Sequence, residues 1–296
     1  MSNFAERRVA FRRRIDQPGV ITAVGAYDAI SAKLVEASGF DVAFVSGYAL
    51  AASIGLPDAG LITLTEVVDR SRYILASTHL PVVVDVDTGF GTFTHVSRTV
   101  RLAEDSGVTG IHIEDQVFPK KCGAVRGKDV IPASEMVDKI KVAVDTRRDR
   151  NMVIIARTDA IAVNGLDDAI DRANQYVSAG ADMSFLCVPP TVQALEEIAK
   201  RVSSPLMITS TEHGATPLLT LDQFEKLGYR MVVFPLTALL AGAFGMRRVL
   251  QRLREDRTNA NILDQMVSWD EMNTLLEDDK WRAIEKGGLM LQRVAG

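Results

Sequence analysis

Eight times along this chain a short run of consecutive apolar residues is followed by an amphipathic stretch, and few architectures accept that rhythm. The runs are Val20 to Val24, Val42 to Ser46, Val82 to Asp87, Gly110 to Glu114, Val153 to Arg157, Met183 to Cys187, Leu206 to Thr209 and Met231 to Phe234. They are continuous in Val, Ile and Leu rather than alternating, which suits parallel strands covered by helices. Several of the amphipathic segments end on glycine before the next strand, as in Ser38-Gly39, Ser106-Gly107, Ala179-Gly180 and Leu227-Gly228. Glycine just past a helix end takes the left-handed conformation that terminates it. Eight β-then-α units in 296 residues predict one α/β domain, a (β/α)8 barrel over residues 1–255. From Asp256 to Gly296 no strand signal remains, and Trp269, Trp281 and spaced leucines predict a helical extension. Its apolar surface needs cover, from the barrel or from a partner subunit.

The formal net charge of -4 offers no basic field for nucleic acid. Arg7, Arg8, Arg12, Arg13 and Arg14 cluster near the start, where they read as the solvated face of a short helix. The longest apolar stretch, Met231 to Phe244, is interrupted and too short to span a bilayer. Cys122 and Cys187 are the only cysteines and make no disulfide framework. No signal peptide is visible, so the expected compartment is the cytoplasm.

Barrel enzymes place their chemistry at the C-terminal ends of the strands. There the third strand ends Asp85-Val86-Asp87 and the fourth Glu114-Asp115. Residues two apart on a strand face the same way, so Asp85, Asp87 and Glu114 are expected in one mouth. Three carboxylates repel one another unless a cation neutralises them, and all-oxygen ligands favour Mg2+ or Mn2+. Helix capping, or pairing with Lys121 and Arg157, is the competing reading. Arg157 ends a buried strand and must meet an anion, either a substrate carboxylate held bidentately or Glu114 or Asp85. Cys122 sits in the Lys- and Gly-rich loop Pro119-Lys120-Lys121-Cys122-Gly123-Ala124. Neighbouring lysines favour its thiolate, and a mobile loop could bring it over a substrate. Cys187 reads as packing, and His112 as an interior strand residue.

Six ordered motifs resemble one family: Gly25-Ala26-Tyr27-Asp28-Ala29, Gly55-Leu56-Pro57-Asp58, Asp85 to Gly91, Ile113-Glu114-Asp115-Gln116, Pro119 to Gly123 and Ile155 to Ala160. The sequence is similar to the isocitrate lyase / phosphoenolpyruvate mutase superfamily, and most of all to its short bacterial branch of methylisocitrate lyase, 2,3-dimethylmalate lyase and carboxyphosphonoenolpyruvate mutase-like proteins. The resemblance implies a Mg2+-dependent carbon–carbon lyase acting on a small 2-hydroxy di- or tricarboxylate through a metal-bound enolate. It implies Asp85 as direct metal ligand, with Asp87 and Glu114 acting partly through water. Cys122, Lys121, Asp58 and Arg157 become the catalytic set. Tyr27, Ser46, Gly47, Tyr48, Gly123, Arg157, Cys187, Thr209 and Glu212 become the substrate-binding set. A homotetramer is also implied. Phosphonate mutase or hydrolase, oxaloacetate decarboxylase and a non-catalytic binding barrel are the competing functions. Cys122 favours the lyase, because the phosphonate-handling members generally lack that cysteine.

Four positions depart from the family pattern: Ala124 where a histidine is usual, Cys187 for a glutamate, Thr209 for an asparagine and Tyr48 for a small residue. All four fall on the substrate side. They predict poor cleavage of isocitrate and 2-methylisocitrate, and better cleavage of a smaller or more apolar 2-hydroxy acid.

Overall fold

The computed structural model describes residues 4–286. Eight parallel strands close into a barrel in chain order, each hydrogen-bonded to its sequence neighbours and the last to the first. They are β1 Ile21–Gly25, β2 Val42–Val45, β3 Val82–Asp85, β4 Gly110–Glu114, β5 Val153–Thr158, β6 Met183–Leu186, β7 Leu206–Thr209 and β8 Tyr229–Phe234. The sequence reading of fold and strand positions agrees with this, with shifts of a residue or two at the ends. Two of those shifts affect the site. β3 stops at Asp85, leaving Asp87 beyond the strand, and β6 stops at Leu186, leaving Cys187 in the loop.

Alternation along the strands divides the core in two. Ile21, Ala23, Val42, Phe44, Val83, Val153, Ile155, Met183, Phe185, Met207, Met231 and Val233 pack together inside the barrel. Val82, Val84, Ile111, Ile113, Ile154 and Ala156, displaced by one residue, pack outward against the helices. Such a division follows from the period of two. The covering helices have ordinary starts. Thr63 and Glu66 form a reciprocal capping box on α4 (Leu64–Ser77), and Thr220 and Gln223 do the same on α9 (Leu221–Leu227), whose end is Gly228 at φ 93°.

A helix that the strand rhythm does not announce, α1 (Phe4–Asp16), joins the interior through Phe11 and Ile15. Its arginines are only in part the solvated face read from the sequence, since Arg13 is exposed but others turn to the barrel. Arg8 is buried, donating to the carbonyls of Glu104 and Val108, and Arg12 pairs with Asp182 at 2.6 Å. Val108 leads into β4 and Glu104 lies in the last turn of the helix before it, so these guanidinium bonds fasten α1 at the strand-entry end of the barrel.

Residues through Leu239 form one compact unit and those from Leu240 a second, so the division falls inside α10 (Thr237–Asp256). The second unit contains α11 (Trp269–Leu275) and α12 (Asp278–Glu285). Trp269, Trp281, Leu250 and Phe244 are exposed. No described helix is long and apolar enough to cross a membrane.

Candidate active site

The inward register that fills the barrel with Val83, Val153 and Ile155 continues upward to place polar groups at the mouth. Two residues beyond Val83 is Asp85, two beyond Gly110 is His112 and then Glu114, and two beyond Ile155 is Arg157. All four are buried. His112 was read from the sequence as interior, yet it shares the face of Glu114. Its ring stacks on Phe44 at 5.4 Å, and its Nε2 lies 3.3 Å from Asp85 Oδ2.

Arg157 is not a lone cation waiting for an anion. Its Nη1 lies 2.9 Å from Glu114 Oε2, while Nε and Nη2 both donate to Asp159, at 2.8 and 3.2 Å. The bidentate carboxylate is therefore Asp159, a partner that the sequence reading does not include. Burial would lower the guanidinium pKa, but its acidic neighbours, Asp159 foremost and Glu114 and Asp85 behind it, hold it well above the ordinary value. Burial would raise the Asp85 carboxyl, but His112, Lys120 and Arg157 outweigh it and hold the pKa far down. Glu114 is pushed the other way, because burial dominates and Arg157 only partly offsets it.

The site lysine is Lys120, not Lys121. Lys120 is buried with Nζ 2.8 Å from Asp87 and hydrogen-bonded to Asp58. Lys121 is exposed and donates to the carbonyl of Gly127, while its backbone is gripped on both sides by the Gln116 amide. With that backbone pinned, the two lysine side chains leave in different directions, and only Lys120 meets the carboxylates.

Asp87 reaches the cluster by another route than strand alternation. Lying past the end of β3, it takes a left-handed conformation at φ 47°, and its N–H donates to Asp85 Oδ1 at 2.9 Å. Aspartate tolerates that region better than most residues. Burial, then the charge of Asp85, push its carboxyl up to about 7. Gly47 approaches the pair closely. Its N–H donates to Asp85 Oδ2 at 3.2 Å, and a Cβ there would lie 2.9 Å from Asp85 Oδ2 and 3.2 Å from Asp87 Oδ1. Asp87 Oδ1 and Glu114 Oε2 are met only by cations, Lys120 Nζ at 2.8 Å and Arg157 Nη1 at 2.9 Å, and Glu114 Oε1 is buried with no hydrogen-bond donor. Among the described residues no three His, Cys, Asp or Glu side chains converge closely enough to hold a metal ion by themselves. What the mouth offers is a short set of hard oxygen acceptors beside a backbone left bare by glycine.

One cavity opens over this cluster. Its floor is Phe44, Ser46, Asp58, Asp85, His112 and Arg157, and its far wall is the neutral set Val188, Thr209, Thr211, Thr216, Pro235 and Leu236. The segment after β4 covers it with Cys122, Gly123 and Ala124. The neck of that segment is fixed by an antiparallel bridge between Gln116 and Val130. Gly123 is pressed against the site, since an added Cβ would lie 2.6 Å from Cys187 Sγ and 2.9 Å from Arg157 Nη2. Burial raises the Cys122 pKa, outweighing Arg157 and Lys120, so the thiol keeps its proton where the sequence had suggested a thiolate. Cys187, also buried and lining the cavity, is pushed up to about 12.

Ser46 caps α3 (Gly47–Ser53) while facing the cavity, which Tyr48, Thr209 and Gly123 also line. Two expected substrate residues are elsewhere. Tyr27 does not line the cavity, and the adjacent Asp28 is spent capping α2 (Ala29–Ala37). Glu212 accepts a hydrogen bond from the Thr237 hydroxyl and is not among the residues that line the cavity. Behind the wall, Asp115 accepts from Thr158 Oγ1, Asp159 N–H and Tyr176 Oη, with Arg172 Nη1 at 3.3 Å. This joins β4, β5 and α7 (Leu166–Ser178) directly beneath Glu114 and Arg157.

Residues 11–254 match the family model described as phosphoenolpyruvate phosphomutase. The chain belongs to the phosphoenolpyruvate mutase / isocitrate lyase superfamily. Within that superfamily it is 42% identical over 268 residues to a 2-methylisocitrate lyase of Aeropyrum pernix, covering 90% of this chain and 86% of that one. It is 39% identical over 275 residues to a 2,3-dimethylmalate lyase of Eubacterium barkeri, with 93% and 95% covered. Among solved structures, phosphonopyruvate hydrolase complexed with oxalate and Mg2+ superposes at a TM-score of 0.87, with 30% identity and 95% and 98% covered.

Proposed function

We propose that this chain is a Mg2+- or Mn2+-dependent carbon–carbon lyase that cleaves a small 2-hydroxycarboxylate. The observation that carries the reading is the placement of Cys122 in one cavity with the buried Asp85 and Arg157, where its own burial favours the protonated thiol. Retro-aldol cleavage removes the 2-hydroxyl proton, breaks the neighbouring carbon–carbon bond and leaves the electron pair on the departing carbon. That carbon then needs a proton, and a thiol that holds its own until that moment is suited to give it. Lyases at 42% and 39% identity, spanning nearly the whole chain, support the reading.

The donor set fits a hard divalent cation. Asp85 and Asp87 would hold it beside Gly47, with Glu114 near, and water would complete a shell that Mg2+ prefers to keep partly hydrated. Such an ion, when bound, supplies Lewis-acid stabilisation of the charge that develops on the 2-oxoacid oxygen. The chain's own residues do the rest. Gly123 and Cys122 exclude water from above, Arg157 orients a carboxylate with the donors left over from Glu114 and Asp159, and Lys120 holds the Asp58 and Asp87 side chains in place between its ion pairs. Exposed apolar residues of the second unit, among them Trp269 and Trp281, support assembly as a homo-oligomer, which we take to be a tetramer. We place the enzyme in the cytoplasm.

The test is release of a 2-oxoacid, measured by a coupled dehydrogenase assay with and without Mg2+ over a panel of 2-hydroxy di- and tricarboxylates and phosphonopyruvate. Metal-dependent 2-oxoacid release from a 2-hydroxy acid supports the lyase. Turnover of phosphonopyruvate alone overturns it.

A further inference from the structure

The proposed acid Cys122 and the guanidinium of Arg157 belong to different elements, and one buried side chain touches the supports of both. Lys128 lies at the returning end of the covering segment and is itself buried. Its Nζ donates to the carbonyl of Gly123, the residue after Cys122, and also to Asp159 Oδ1 at 2.7 Å. That same Asp159 carboxylate holds Arg157 bidentately and is itself fixed by its N–H on Asp115. We infer that Lys128 is a positioning residue, a latch that keeps the Cys122–Gly123 turn down on the cavity and ties its closure to the orientation of Arg157.

The contacts around the segment leave that task to Lys128. Gln116 grips Lys121, and Val125 N–H donates to the Cys122 carbonyl at 2.9 Å, which shape the turn without fastening it to the barrel. Lys120 fastens the chain ahead of Cys122 to Asp58 and Asp87. Past Cys122, the hydrogen bond from Lys128 to the Gly123 carbonyl is what joins the turn to Asp159, the residue after β5. An ammonium suits the place. It has three donors on a compact head, enough for one carbonyl and one carboxylate, and a buried charge there is matched by Asp159. When the turn lifts, Lys128 keeps its ion pair but loses the Gly123 carbonyl. Closure is therefore favoured by a charge-assisted hydrogen bond made only in the closed state.

The experiment uses the purified full chain and reads the alkylation rate of Cys122 by iodoacetamide, followed peptide by peptide, with Cys187 as internal control. Lys128→Met removes the donor and leaves Asp159 paired with Arg157. We expect it to raise the Cys122 rate by about tenfold or more, the factor that one charge-assisted hydrogen bond is worth. Cys187 should stay unreactive and Mg2+ affinity by calorimetry should be unchanged. Lys128→Arg keeps a cation between the same partners and should return the Cys122 rate most of the way to wild type. If Lys128→Met fails to fold, Lys128→Arg against wild type still decides, and a rate raised tenfold overturns the latch. So does a folded Lys128→Met that alkylates at the wild-type rate. A rise at Cys187 equal to that at Cys122 also overturns it, because that pattern marks general loosening. Closure and kcat are linked only through the proposed lyase reaction, on which the functional meaning of the latch rests. The alkylation rate needs no turnover, so it stands even if the lyase assay fails.

Discussion

Gly123→Ala is the smallest change that should separate closure of the site from stability of the fold. A methyl group at this position meets Cys187 Sγ at 2.6 Å and Arg157 Nη2 at 2.9 Å, closer than non-bonded carbon contacts come. Neither neighbour can yield cheaply. Cys187 is buried just past the end of β6, and Arg157 is held by Glu114 on one side and Asp159 on the other. Overpacking of this kind costs about 1–3 kcal/mol. Here the cost falls on the closed position of a surface segment and can be relieved by lifting it. The closed-to-open ratio should therefore drop by about 5- to 150-fold, at about 1.4 kcal/mol per tenfold, while the melting temperature moves little. If Cys122 acts only when the segment is closed, kcat/KM should fall by up to the same factor and Mg2+ affinity should not change. Iodoacetamide should react correspondingly faster with Cys122. Adding Cys187→Ala removes the nearer collision and leaves the one with Arg157, so the double variant should recover in part, giving a measurable coupling energy. Wild-type kcat/KM together with a wild-type alkylation rate in Gly123→Ala would refute the reasoning, because a turn that accepts a methyl group here is not pressed against the site.

Asp85→Ala should abolish measurable Mg2+ binding by calorimetry, and unchanged affinity would remove the metal from this mouth. Cys122→Ala should lower turnover by about 10²–10⁴-fold, the usual worth of a positioned proton donor, with Mg2+ binding intact; a fully active variant rules the role out. Because burial raises the Cys122 pKa, its alkylation rate should climb with pH only above the ordinary cysteine range of about 8.5, and a midpoint below that value contradicts the protonated thiol. Light scattering at micromolar concentration should show an oligomer, with a monomer counting against it. Isocitrate and 2-methylisocitrate should be poor substrates beside an alkyl-substituted malate, since Ala124, Cys187 and Thr209 leave a wall without the charged and amide groups that a tricarboxylate would need; kcat/KM of about 10⁴ M⁻¹s⁻¹ or more on either would overturn that reading.

The barrel was legible because its signal is redundant. Eight apolar runs and their glycine stops state the same answer many times, so an error of a residue at one strand end does not disturb it. The floor of the site was legible for a related reason: Asp85, Glu114 and Arg157 sit on strands, where a period of two fixes the face. His112 obeys that period too and could have been found by it. Beyond the strands no period applies. Lys120 and Lys121 are indistinguishable on paper, and only the grip of Gln116 on the backbone decides which of them turns inward. Asp87 reaches the site through a left-handed residue that no pattern announces. The pairing of Asp159 with Arg157 and Lys128 spans two loops, and the exclusion of Tyr27 and Glu212 depends on where loops turn.

Asp115 makes the boundary of this site hard to draw by mutation. It faces away from the cavity, yet it receives Thr158, Asp159, Tyr176 and Arg172 immediately beside the residues that face inward. A buried carboxylate with that many donors cannot be removed without stranding them, and what they hold in place is the strand pair carrying Glu114 and Arg157. A library scored by activity alone would therefore rank positions 115, 172 and 176 with the residues that meet the substrate. An engineer choosing positions to retune specificity would do better at 124 in the covering segment and at 187 and 209 after β6 and on β7, where side chains line the cavity and take no part in the Asp115 network.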